Sequence, residues 1–170
     1  MFVSLTGVCG VVAVAMVSRR GAPVLTTVGT ILAFAGFTAL FAGGPASDLI
    51  PYLTATESLD RATAYQLGSG LELGPHAAVT GIIFVLGHLV GTVLLGLAMW
   101  RARVAPAWLA LGLAVSQPIH LISVMTGLRP LDLVGWGLTA VGFGAASWAL
   151  LRMRNDEFDL RPVPQQVSTP

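Results

Sequence analysis

The apolar positions of this chain fall in long runs broken by short polar punctuation. Phe2 to Val17, Ala22 to Ala42, His76 to Trp100, Ala107 to Thr126 and Leu131 to Leu151 carry no charged side chain apart from Asp132. Uncharged apolar runs of about 18 residues or more mark helices whose solvent is lipid. The pattern predicts an all-α integral membrane helical bundle with five transmembrane helices, over 2–18, 22–42, 77–100, 107–126 and 131–151. The first run is near the lower length limit for a span. Its positive charges, Arg19 and Arg20, follow the apolar run, whereas a secretory signal places them before it. It is expected to be a span with its N-terminus outside.

Between the runs the punctuation differs. Gly43-Gly44-Pro45 reads as the end of the second helix. The stretch 46–75 is the longest polar segment and holds Asp48, Glu57, Asp60 and Glu72 against Arg61. It is expected to be a surface loop with one helical turn, in which Thr56 is the N-cap. The link between the third and fourth spans is the short basic turn 101–106, and Gly127 to Pro130 links the fourth to the fifth. From Arg152 the chain turns charged and then proline-rich, and residues 152–170 are expected to form a disordered cytoplasmic tail.

Small residues recur at helix-packing spacing. Gly29, Ala33 and Gly36 share one face of the second run, and Gly135, Thr139, Gly142 and Ala146 share one face of the fifth. Such stripes let helix backbones approach closely in lipid. Arginine placement sets the topology. Arg19 and Arg20, Arg101 and Arg103, and Arg152 and Arg154 mark alternate span ends, which are expected to be cytoplasmic. The C-terminus is then inside, the segment 46–75 is outside, and the protein sits in the plasma membrane. Trp100 and Trp108 flank the cytoplasmic turn, where interfacial aromatics belong.

Composition sharpens the reading. The 170 residues are 55% hydrophobic and 10% charged, with mean hydropathy +0.80, whereas soluble domains carry about 25% charged residues. The net charge of +1 gives no field for nucleic acid. The single cysteine, Cys9, excludes an intrachain disulfide and any cysteine-rich metal site. There is no glycine-rich phosphate loop, no HExxH and no GxSxG, so no catalytic residues are assigned.

The candidate chemistry lies in the hairpin of the third and fourth spans. His88 lies about 18 Å of helix from Trp100, and His120 about 21 Å from Pro106. The two histidines should face each other near mid-membrane. Thr92, Ser116, Gln117 and Ser123 share their faces, and Pro118 frees the Ala114 carbonyl. Together His88, Thr92, Ser116, Gln117, His120 and Ser123 form a candidate polar cluster in an apolar bundle. Buried polar groups of this kind serve either as interhelical hydrogen bonds or as a functional site. Haem is the cofactor to test against such a pair, although the short hairpin leaves little room for a porphyrin. Two neutral imidazoles alone make an incomplete metal site, and Asp132 and Glu72 are placed near the outer surface. His76 and Glu72 read as helix-start residues, so no metal site is assigned.

The pieces G-H-x-x-G from Gly87, R-x-R-x-x-P-x-W from Arg101 and Q-P-x-H from Gln117 carry a resemblance. Residues 75–151 resemble multi-pass membrane proteins of actinobacteria whose activity is not characterised. The resemblance implies a helical membrane domain and brings no activity, cofactor or substrate with it. On these grounds the chain is expected to be a non-enzymatic partner subunit or a binder of a small apolar ligand. Its partners would be the bilayer and other membrane subunits or further copies of itself. The competing expectation is a mid-membrane histidine site serving haem or metal redox chemistry or proton-coupled transport.

Overall fold

The computed structural model describes residues 2–154 except 57 and 74, and their side chains except at 2–4, 40–48, 71–73 and 76. The described residues form six helices: α1 (Phe2–Ser18), α2 (Pro23–Ala55), α3 (Arg61–Leu73), α4 (Pro75–Ala102), α5 (Ala107–Thr126) and α6 (Arg129–Arg152). They contain no strand. The five longest form a closed ring: α1 packs on α2, α2 on α4, α4 on α5, α5 on α6, and α6 returns to α1. The shorter α3 leans on α2 and α4.

Close approach of backbones builds this ring. On α2, Gly29, Ala33 and Gly36 meet Leu95, Gly91 and His88 of α4, the face expected from their spacing. A Cβ on Gly36 would lie 2.2 Å from the His88 nitrogen, and one on Gly91 would lie 2.3 Å from the Ala33 nitrogen. Gly96 of α4 seats Ala114 of α5 in the same way. The stripe on α6 faces α5: Gly135 meets Ser116 and His120, and Gly142 meets Leu113. Both stripes are therefore spent on contacts within the chain. On α1, Gly7 and Gly10 make room for the rings of Phe37 and Phe143. Val11, Val14, Phe37, Leu95, Met99, Leu113 and Ala146 complete a buried apolar core.

The three arginine-marked junctions share one end of the bundle. Gly21, after Arg19 and Arg20, abuts Ala102 beside Arg101 and Arg103. Val104, Ala105, Leu150 and Met153 pack on the same core cluster. The α5–α6 turn closes the opposite end, with Gly127 at φ 71°, a left-handed conformation that favours glycine.

Three helices are long and apolar enough to cross a membrane: Ala77–Ala102, Ala107–Thr126 and Arg129–Arg152. This is fewer than the five expected. Helix α1 has 17 residues, and the apolar, fully described part of α2, Pro23–Ala39, is also shorter than a span. The expected break at Gly43-Gly44-Pro45 does not occur, because α2 runs without interruption to Ala55. Two glycines and a proline cost a helix about 5 kcal/mol together, and α2 carries that cost within one continuous 33-residue helix.

The segment 46–75 is also not a loop. Thr56 caps the C-terminus of α2 instead of starting a helix. Asp60 caps α3, its Oδ1 accepting from the Ala62 and Thr63 amides at 3.0 Å and its Oδ2 from the Thr63 hydroxyl at 2.6 Å. Aspartate reaches the amides two and three residues on, and its charge suits a helix start. The Glu72 and His76 side chains and the tail from residue 155 lie outside what is described, and with them the readings made there.

Candidate functional site

The two hairpins bring the polar residues together by register. His88 and His120 are equidistant from the α4–α5 turn, and their ring centroids lie 6.3 Å apart with planes at 64°. Residues 116 and 139, and 113 and 142, are likewise equidistant from the α5–α6 turn, and both pairs touch. Side chains from α4, α5 and α6 therefore converge beyond the apolar core, away from the arginine end.

His88 is buried, with 3% exposure. Its Nδ1 is bonded to the Phe84 carbonyl one turn back. A carbonyl only accepts, so Nδ1 carries the proton and Nε2 holds a lone pair. That Nε2 is buried without a hydrogen-bond partner. The ring stacks on Phe84 at 4.1 Å and meets Phe37 edge-on at 6.1 Å. The two histidines thus do not bond to each other.

His120 Nδ1 lies 2.5 Å from Asp132 Oδ1. Asp132 is exposed at the start of α6, as expected, but it reaches His120, where no carboxylate was expected. Asp132 sits in the first turn of α6, and a two-residue turn sets that helix end against the outer third of α5. His120 is 18% exposed and Asp132 43% exposed at the side chain, so the pair is the open side of the site. Trp136, one turn further on, packs on the His120 ring at 5.0 Å.

Gln117, Ser116 and Thr139 form a buried chain behind the histidines. Gln117 Nε2 donates to Thr139 Oγ1 at 2.8 Å, Thr139 donates to Ser116 Oγ at 2.9 Å, and Ser116 donates to the Leu113 carbonyl at 2.7 Å. Gln117 Oε1 is left buried and without a partner, although the Gln117 side chain approaches the His88 ring. Two members of the expected cluster do not join it. Ser123 donates to the Leu128 carbonyl at 2.9 Å and closes the α5–α6 turn. Thr92 is fully buried and its hydroxyl has no partner. Asp132, Thr139, Trp136 and Phe84 belong to the site but were not expected there. Reflection of the sequence about Gly127-Leu128 would have paired Thr139 with Ser116 and brought Asp132 within a turn of His120.

An apolar groove of about 550 Å³ runs between α1 and α6. Phe37, Phe143, Trp136 and Cys9 wall it, and Thr139, Gly144 and Ser147 also line it. Phe37 and Trp136 are the rings that pack on the two histidines, so the groove lies on the far side of an aromatic wall from them. A second cavity, of about 390 Å³, lies beside Trp100, Arg101 and Arg103. Neither is lined by a histidine. With α4 and α5 in backbone contact at Gly96 and with aromatic rings around both imidazoles, a porphyrin does not fit between His88 and His120.

Fold and site together define a helical bundle with three helices long and apolar enough to cross a membrane and a polar cluster open on one side. No family model matches the chain, and no match is found among curated proteins or solved structures.

Proposed function

We propose that this chain is a plasma-membrane protein that crosses the bilayer five times, with its N-terminus outside and its C-terminus in the cytoplasm, and that it holds a small apolar molecule in the groove between α1 and α6. The surface supports the reading of α1 and α2 as lipid-facing. Leu5, Val12, Val24, Val28, Ile31 and Phe34 are all exposed, and an apolar face of that extent is costly in water. Six arginines gathered at one end support the reading of that end as the cytoplasmic side. The groove is the observation that carries the ligand reading. It is apolar, walled by aromatic rings, and opens sideways, where a molecule dissolved in lipid would enter.

A diazirine-bearing hydrocarbon probe tests this on purified protein in detergent. Photolabelling should concentrate on peptides carrying Phe37, Trp136 and Phe143. Gly144 lines the groove and has open space where a side chain would start, so Gly144→Trp should remove that labelling without lowering the melting temperature. Labelling spread evenly over outward residues such as Ile82 and Val90 would sink the ligand reading. A second reading, a partner helix in the groove, is favoured by Gly137 and Gly144, which face outward with nothing within 4 Å. In that case Gly144→Trp would change the oligomeric mass in detergent.

A further inference from the structure

We propose that His88 and His120 bind one monovalent, two-coordinate metal cation of the copper(I) type, with Asp132 balancing its charge. This is independent of what occupies the α1–α6 groove.

Both histidines are held as metal-binding histidines are held. Such a ligand gives its other ring N–H to a carbonyl or carboxylate, which fixes the tautomer and aims the free nitrogen. His88 Nδ1 is anchored by the Phe84 carbonyl, and His120 Nδ1 by the Asp132 carboxylate at 2.5 Å. Each ring is left with an Nε2 lone pair. His88 Nε2 is buried, and among the described residues the Gln117 side chain is the polar group that reaches it.

Gln117, whose buried side chain reaches the His88 ring, offers the competing arrangement. With its amide turned, Gln117 Nε2 gives an N–H to His88 Nε2 and Oε1 accepts from the Thr139 hydroxyl, so a cation has to displace that hydrogen bond.

Charge and spacing then select the cation. Two neutral imidazoles, one carboxylate and one unit of positive charge sum to zero, which lowers the cost of holding a cation against the buried His88 even though the Asp132 side is open. A divalent ion would leave an excess charge. With metal–nitrogen bonds of about 2.0 Å and about 1.1 Å from each nitrogen to its ring centre, a linear N–metal–N unit puts the ring centroids about 6.2 Å apart. They are 6.3 Å apart with planes at 64°, a spacing that such a unit can bridge once both Nε2 atoms turn inward. A tetrahedral angle would draw them about 1 Å closer. Among the described residues no cluster of three or more histidine, cysteine or carboxylate ligands exists, so the four-ligand zinc arrangement has no donors of those types here. Imidazole is a competent copper ligand.

The experiment uses the full chain in detergent, anaerobic and reduced, in a Cys9→Ser background, because the exposed Cys9 thiol would bind copper(I) itself. Copper(I) is titrated against a chromophoric chelator, with silver(I) as a redox-inert substitute and zinc(II) as comparison. One equivalent of copper(I) and of silver(I) should be retained. His88→Ala and His120→Ala should each weaken binding by more than about 100-fold, and Asp132→Asn by about 10- to 100-fold. Gly81→Ala, where a side chain meets open space, should leave it unchanged. Melting curves and size-exclusion profiles identify any variant that fails to fold. For such a variant, the ring-nitrogen shifts of His88 and His120 in labelled wild-type protein on adding silver(I) take its place. No metal retained above the His88→Ala/His120→Ala double variant overturns the proposal, as does a preference for zinc(II). Failure of those shifts to move also overturns it.

Discussion

Replacing Gly36 by alanine tests the seam on which the histidine site rests. The new Cβ would sit 2.2 Å from the His88 nitrogen, 2.7 Å from the Gly87 carbonyl carbon and 2.9 Å from the His88 Cα. Ordinary contact begins at 3.4 Å, so α2 and α4 must part there by about 1.2 Å, the difference between 3.4 and 2.2. All three obstacles are backbone atoms, so no rotamer change relieves them. A gap of that size forfeits a quarter to a half or more of the dispersion energy of each contact it opens. Overpacking costs about 1–3 kcal/mol, and this case belongs at the upper end because Gly29, Ala33 and Gly91 share the seam. Alanine returns about 1 kcal/mol of helix propensity. The net expected loss is about 2 kcal/mol. Gly81→Ala is the control: the same helix α4 has open space there, so only the propensity gain of up to about 1 kcal/mol applies. Unfolding in mixed micelles of mild detergent and dodecyl sulfate, followed by tryptophan fluorescence, measures both. The two variants should differ by about 3 kcal/mol. If Gly36→Ala unfolds at the same point as Gly81→Ala, or later, close backbone packing does not hold α2 to α4.

Three further outcomes are expected. Thr139→Val leaves Gln117 Nε2 buried without its acceptor and should cost about 1–2 kcal/mol in the same assay. Ser116→Ala should cost less than half of that, since Thr139 still has the Gly135 carbonyl at 3.1 Å; equal losses would mean the chain does not act through Gln117. Gly127→Ala meets no neighbour, so it should cost only the left-handed backbone penalty of about 1–2 kcal/mol, and a neutral result would show that the turn relaxes. The Thr63 hydroxyl, then the Thr63 and Ala62 amides, hold the Asp60 carboxyl below its ordinary value of 3.8. The stabilisation that the cap gives α3 is complete above 3.8 and fades as pH falls through the lower folded-state value. Hydrogen exchange of residues 61–66, corrected for intrinsic rates, should show that fading in the wild type and not in Asp60→Asn; parallel fading would remove Asp60 from the account.

What the sequence carried most plainly was spacing. Gly29, Ala33 and Gly36, and Gly135, Thr139, Gly142 and Ala146, announced faces of close helix approach, because small residues at helical period have few other uses in a long apolar helix; that the partners are α4 and α5 was not legible there. The short α4–α5 turn was enough to set His88 opposite His120. Punctuation misled. Gly43-Gly44-Pro45 breaks helices in water, where a freed backbone group finds solvent, but α2 continues through it to Ala55. Thr56 and Asp60 are both good caps by type, and the choice between them depended on where α2 stopped.

The carboxylate was missed for a different reason. Its depth was judged from position along its own helix, and Asp132 stands in the first turn of α6. The relevant depth is that of the neighbour it reaches, and His120 lies in the part of α5 that runs beside that first turn. The same geometry explains why the histidines differ. His88 is anchored within its own helix, so its orientation depends on α4 and on how α4 packs against α2, and not on the α5–α6 turn. His120 is anchored across the hairpin, so its orientation depends on the α5–α6 turn. A perturbation at Gly127 should therefore disturb His120 and Asp132 and leave His88 in place, whereas a perturbation at Gly36 should do the reverse. Ring-nitrogen chemical shifts of the two histidines in Gly127→Ala and Gly36→Ala compare the two directly. If both variants move both rings equally, the two anchors are not independent, and the pair responds as one packed unit.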